Sequence, residues 1–318
     1  MKKKLDCGPE GYGELIEFVS CDICGCDETQ TIYPSRFSAL DFKKNRERSF
    51  EYASSDLARG AIVRCVNCDL VYMNPRDKNV SALYEAAEDL FYFSSAEDRQ
   101  ASFEQDIKEL HRVLRIESGE GKKILDVGCS YGFFMDVAKR NRWEVYGCEL
   151  SKKHAAFAKK NLNNVCSKDI DSCGFPEEFF DVVVLYDVLE HVPSPKIFLQ
   201  KIASHTKPDG TIVVVTPNFS SISARVMGGF WPNITRMHLY YFTPHTIRKL
   251  FMKSGFTSVK CARHKRIASF GAIIKWLRKF PALYSVMNIL LGNKILRGFK
   301  ITLSIGDSVF FARKTKEN

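Results

Sequence analysis

The chain has 318 residues, 45% hydrophobic and 26% charged, values that exclude a mostly disordered or fibrous protein. No apolar run approaches the roughly 18 residues that span a bilayer, and no apolar stretch follows the basic start MKKKLDCGPEGYGEL, so neither a crossing helix nor a secretory signal is expected. The net charge of +10 is concentrated in the tail: residues 260–318 hold 13 Lys and Arg against Asp307 and Glu317, a local +11, which leaves −1 elsewhere. The expectation is a soluble or membrane-peripheral protein of the reducing cytoplasm. Nucleic acid, which calls for positive charge around a substrate cleft, is not favoured as partner.

Eleven cysteines, an odd number, argue against a disulfide framework. Four form two pairs, Cys21 and Cys24 in CDIC and Cys65 and Cys68 in CVNC, with 40 residues between them. Each CxxC turn puts two thiolates on one side, and two such knuckles complete a tetrahedral sulfur site suited to structural zinc rather than chemistry. A redox dithiol and chance spacing are the alternatives. Gly25 and Asp69 fit the turns, and Cys26 falls outside them. The segment AIVRCVNCDLVYMNP reads as strand, knuckle and strand ending at Pro75, while 29–60 reads as loop or irregular strand. Residues 1–79 thus form a zinc-ribbon-like module. From Val80 the pattern turns helical, with Leu83, Tyr84, Phe91 and Phe93, then Phe103, Ile107, Leu110 and Leu114, making 80–120 a connector.

KKILDVGCSYGFFMDVAKR reads as a strand, a glycine-bearing turn and a helix. Gly128 and Gly132 let the backbone approach a ligand, and the next strand ends at Glu149, placed to accept ribose hydroxyls. Two glycines follow Asp126, not the three of a dinucleotide fingerprint, which leaves room for a cofactor without a pyrophosphate. Val182–Leu185 is a buried central strand, Ser194–Pro195 starts a helix, Thr211–Thr216 is another strand, and Thr246–Gly255 is a helix stopped by glycine. Strands at Ser258–Ala262 and Ser308–Ala312 complete a doubly wound seven-stranded mixed sheet over 121–318, with ligands at the C-terminal strand edges.

LDVGCSYGFF, Glu149, FFDVVVLYDVLEHVPSP and KPDGTIVVVTPN together resemble the class I, Rossmann-like S-adenosylmethionine-dependent methyltransferases over about residues 121–265. The zinc module, EHVPSP and HLYYFTP resemble a subgroup associated with sugar, surface-glycan or secondary-metabolite methylation. The resemblance implies S-adenosylmethionine as cofactor, with Asp126, Gly128, Cys129 and Gly132 at its methionine end. It puts Glu149 and Leu150 by the ribose, Asp169 and Ile170 by the adenine, and Tyr186 and Asp187 beside the sulfonium. Ser130 stands where the family's turn commonly has a glycine.

Methyl transfer needs an oriented nucleophile and often a base. His191, after the fourth strand of the domain, and His238, in the long connection after the fifth, are the candidates, each with a structural reading beside the catalytic one. Glu190 either orients His191 or caps the next turn. Sugar carbon-methyltransferases resembling this chain carry a carboxylate in the lid, whereas Thr235, Arg236 and Met237 precede His238 here, so transfer to a hydroxyl is expected over transfer to carbon. Arg236 either pairs with an anionic substrate group or is solvated. The insertion 267–300 is basic and amphipathic, suited to an anionic membrane interface or to ordinary packing. The expected acceptor is a sugar, glycan or other polar small molecule; a C- or N-methyltransferase on a nucleotide sugar or metabolite, and an RNA or protein methyltransferase, are the alternatives.

Overall fold

The computed structural model describes residues 16–36, 59–78, 96–276, 281–290 and 294–315. Leu83, Tyr84, Phe91 and Phe93 of the expected connector lie outside them. Five short strands open the chain: β1 (Ile16–Glu17), β2 (Thr29–Tyr33), β3 (Ile62–Cys65), β4 (Val71–Met73) and β5 (Arg76–Asp77). β2, β3 and β4 form an antiparallel ribbon. Its knuckles close through the Gly25 amide on the Cys21 carbonyl (2.8 Å) and the Asp69 amide on the Cys65 carbonyl (3.1 Å). Gly25 and Asp69 take positive φ there, 72° and 66°, as tight turns after each pair require.

Helix α1 (Ala96–Leu114) then leads into the main unit, burying Phe103, Ile107 and Leu110 at helical spacing. The order continues β6 (Lys123–Val127), α2 (Phe133–Arg140), β7 (Glu144–Cys148), α3 (Lys152–Ala158), β8 (Val165–Cys166), β9 (Phe180–Tyr186), α4 (Pro195–His205), β10 (Thr206–Pro217), α5 (Ile222–Met227), β11 (Tyr240–Tyr241), α6 (Pro244–Met252) and β12 (Phe256–Arg263). After these come β13 (Arg266–Ser269), α7 (Phe270–Trp276), α8 (Pro281–Leu290), α9 (Lys294–Gly298), β14 (Lys300–Leu303) and β15 (Asp307–Lys314). Pro195 and Pro244 sit in the first turns of α4 and α6, where a missing amide costs least, and Thr243 with Thr246 makes a capping box for α6.

The mixed sheet has seven strands in the order β12-β15-β10-β9-β6-β7-β8. Only β15 runs against its neighbours. Val182–Leu185 in β9 is buried on both faces, as a central parallel strand must be. One face packs Leu125, Val183, Leu185 and Val214 against Leu199 and Ile202 of α4 and Leu250 and Phe251 of α6. The other packs Ile124, Val184 and Val213 against Phe103 and Ile107 of α1 and Phe134 and Val137 of α2.

The ribbon is built into this unit. β11 pairs with β4, Tyr240 opposite Tyr72, and makes the ribbon's sheet four-stranded. Cys21, Ile23, Val63, Leu70 and Tyr72 belong to the same apolar cluster as Leu185 and Phe251. The basic insertion is framed by the β13–β14 hairpin and tied to α1: the Ser269 amide and hydroxyl donate to Asp98, and the Ile267 amide to Ser102 Oγ, each at 2.8 Å.

Candidate functional site

The glycine turn stands between β6 and α2. Gly128 and Gly132 have φ of 76° and 79°, and a Cβ on either would lie 2.7 Å from Val188 Cγ2 or 2.6 Å from Leu162 Cδ1, so both conformation and space demand glycine. Ser130, where the family pattern has a glycine, also adopts the left-handed region, φ 49°, a conformation that strains a non-glycine residue. Its amide donates to Glu149 Oε2 at 2.8 Å, and the Ser151 amide to Oε1 at 2.7 Å. Glu149 therefore ties the turn to the end of β7, with Leu150 exposed just after it. Asp126 is buried, and burial together with the nearby Glu149 charge pushes its carboxyl up to about 8. Cys129 is buried behind the turn.

Asp169 caps the short 3-10 helix Ile170–Cys173 by accepting the Ser172 amide at 2.8 Å, and Ile170 is buried. A disulfide joins Cys166 to Cys173 around this loop. The cysteine count gave no reason to expect it.

At the end of β9, Tyr186 packs between Phe103 and Phe134, ring centroids 5.1 Å from each. Asp187 follows with φ 54°. Burial works to raise its carboxyl, but the Arg266 guanidinium, at 2.7 and 2.9 Å, holds it below the usual range. Arg266 also donates to Asp307 at 2.7 Å, and Arg99 on α1 adds to the positive field. Sequence reasoning missed Arg266, one of many cations in a basic tail. The five groups Asp126, Glu149, Asp169, Tyr186 and Asp187 all follow or end parallel strands on one edge of the sheet, where a class I fold binds its cofactor. Turn and carboxylates fit S-adenosylmethionine.

The two histidines meet. Their ring centroids are 4.5 Å apart at an interplanar angle of 74°. His191 Nδ1 is 2.9 Å from the Met237 carbonyl. Burial, then the neighbouring His238, lowers His191 to about 3, and burial lowers His238 to about 4, so both are neutral near pH 7. Glu190 is 1% exposed, and burial pushes its carboxyl well above the ordinary range. Its Oε2 accepts from Thr216 at 3.1 Å, while Oε1 is buried without a hydrogen-bond partner. One ligand atom from each of Glu190, His191 and His238 lies within 4.8 Å of the others.

Local hydrogen bonds bring the lid there. The Leu239 and Tyr240 amides donate to the Glu190 carbonyl at 2.8 and 3.2 Å, and β11 continues into the ribbon's sheet. The ribbon also grips the other side of the EHVPSP segment. Asp22, inside the first knuckle, accepts the Ser194 hydroxyl at 2.6 Å and the Lys196 amide at 2.7 Å, so it caps α4 from outside the helix. Arg76 Nη1 donates to the Pro193 carbonyl at 2.8 Å. Two expectations change. Arg236 is buried in an ion pair with Asp77 at 2.5 Å, which fastens the lid to β5 instead of facing substrate or solvent. A carboxylate does stand beside the histidines, supplied by Glu190 and not by the lid.

Cys21, Cys24, Cys65 and Cys68 converge, with Sγ atoms 3.3 Å apart for Cys21–Cys68 and 3.5 Å for Cys24–Cys65. An S₄ tetrahedron with bonds of about 2.3 Å has edges of about 3.8 Å, so the cluster fits a metal of the zinc class.

The sheet order, the glycine turn with its acid, and the polar strand ends define a class I S-adenosylmethionine-dependent methyltransferase. The family model described as "Methyltransferase domain" matches residues 96–260, more than half of the chain, and the protein belongs to that family. It is 25% identical over 186 residues to the ubiquinone biosynthesis O-methyltransferase of Idiomarina loihiensis, covering 51% of this chain and 76% of that one. With the protein of the same name from Azoarcus it shares 27% over 154 residues, 44% of this chain and 66% of that one, just under two thirds of the relative's length. Among solved structures, a chain from the complex of the Trm112 methyltransferase activator of Haloferax volcanii with a methyltransferase superposes with a TM-score of 0.50 at 16% identity, over 71% of this chain and 97% of that one. That likeness concerns the fold.

Proposed function

We propose that the enzyme methylates a hydroxyl of a sugar, glycan or other polar small molecule. The carrying observation is the buried His191–His238 pair at the sheet edge that holds the cofactor residues. S-adenosylmethionine, when bound, supplies an electrophilic methyl on a charged sulfur. Asp126, Gly128, Cys129, Gly132, Glu149, Leu150, Asp169, Ile170, Tyr186 and Asp187 would hold it. The chain's task is then to exclude water, orient the acceptor oxygen and move its proton. His191 is oriented by Met237 through Nδ1, and its Nε2, with His238 alongside, is placed to take that proton in the metal-free enzyme. The curated relatives carry O-methyltransferase names, which supports the oxygen acceptor. Glu190 beside the pair favours a second reading, transfer to carbon, because carbon acids need a supported base. Locating the methyl group in the product decides between them.

Glu149→Ala should weaken cofactor binding in calorimetry by about 1.5–3 kcal/mol, since both a ribose acceptor and the anchor of the turn are lost. Undiminished affinity would remove Glu149 from the role.

We assign zinc to the Cys₄ cluster, as a structural ion. We also propose that the 267–300 insertion meets an anionic membrane surface. Val286, Ile289 and Leu290 form an exposed ridge at i, i+3, i+4 spacing on α8, and Phe299 is exposed nearby in sequence, within the +11 tail. No helix among the described residues is long and apolar enough to cross a membrane. Co-sedimentation with phosphatidylserine-containing vesicles should exceed that with neutral vesicles and fall in Ile289→Asp; equal retention on both vesicle types would end the idea.

A further inference from the structure

We propose that Glu190, His191 and His238 form a second metal site, distinct from the cysteine cluster, that takes one divalent cation of the zinc, cobalt or iron(II) class. The inference stands on three features of the chain. One ligand atom from each residue lies within 4.8 Å of the other two. Ligand atoms around a tetrahedral ion stand about 3.3 Å apart, so side-chain shifts of about an ångström close the set. Second, the His191 imidazole is anchored through Nδ1 on the Met237 carbonyl, the outer support that metal-binding histidines ordinarily have. Third, Glu190 Oε1 is buried without a hydrogen-bond partner, an arrangement costly for a polar atom unless it ligates.

Two neutral imidazoles and a carboxylate suit borderline divalent ions better than calcium or magnesium, which prefer all-oxygen shells. Three protein ligands leave a position open, the mark of a catalytic rather than a structural site. An acceptor hydroxyl entering that position would exchange its O–H bond for a metal–oxygen bond, and its proton would leave to solvent. In the loaded enzyme the ion thus replaces an imidazole as the means of ionising the acceptor. That role rests on the hydroxyl reading above; the binding itself does not.

The test uses the purified full chain with its cysteine site loaded with zinc. Co²⁺ titration should show one further equivalent by calorimetry, with weak ligand-field bands and no sulfur-to-cobalt charge transfer, because no thiolate takes part. Glu190→Gln, which keeps the side chain's shape, should weaken that equivalent more than about tenfold, and His238→Ala should do the same. Absence of a second equivalent in the unaltered protein overturns the site, as does equally tight binding in Glu190→Gln. Charge-transfer bands on the second equivalent would assign the ion to cysteine and also overturn it. Cobalt binding with methylation found on carbon would leave the site standing and remove the hydroxyl reading; loss of turnover in His238→Ala without any cobalt site would do the reverse.

Discussion

His238→Ala should lower kcat at least about 100-fold at saturating cofactor and leave cofactor affinity nearly intact. The split follows from position. His238 is carried by the lid and touches His191, while the glycine turn and Glu149 are organised by β6 and β7 with no help from the lid. Loss of kcat alone thus reports on the acceptor's proton and not on a damaged cofactor cleft. His191→Ala serves as the parallel measurement. A loss confined to that variant would move the role to the loop after β9. Near-normal kcat in both would leave proximity and orientation as the sources of rate.

Cys65→Ser should empty the cysteine cluster, lowering bound zinc by about one equivalent per chain, and open the ribbon. Structural zinc in small modules contributes about 10–16 kcal/mol of apparent binding free energy, as large as the total stability of a typical domain. Hydrogen exchange should become fast across 62–73, and kcat should fall although none of the four cluster cysteines is among the residues that would hold the cofactor. The second effect arises because Asp22 caps α4 and β4 pairs with β11, so the ribbon holds both segments that bear the histidines. A variant that keeps its metal and its slow exchange would show that the cluster is not the ribbon's fastening.

Much of the architecture was legible because its signals are local. Val182–Leu185 reads as a buried strand from its apolar run, Pro195 marks a helix start, and the CxxC spacing defines the knuckles before any fold is known. The seven-stranded mixed sheet follows from alternating strands and helices. The site was legible in pieces: the glycines, Glu149 and both histidines stand out singly. Their convergence did not, because 46 residues separate His191 from Met237 and no periodicity encodes such a contact. β11 is two residues long, too short for an alternation pattern, yet it adds a strand from the main unit's chain to the ribbon's sheet. Arg236 read either as a substrate-binding cation or as a solvated one, and its partner Asp77 lies 159 residues away in sequence. Asp22 looked like a spacer between two cysteines, and its capping role belongs to a helix 172 residues further on.

That cap and the β4–β11 pairing bear on how the protein can be trimmed. Similarity to the family begins at residue 96, which invites a shortened chain starting there. Such a cut removes the partner strand of Tyr240 and Tyr241 and uncovers two buried aromatic rings along an unpaired edge, a template for aggregation. It also strips the first turn of α4 of its acceptor and leaves Arg236 buried without Asp77. The boundary of family resemblance is therefore not a boundary of solubility, and the ribbon has to travel with the catalytic unit into any soluble fragment.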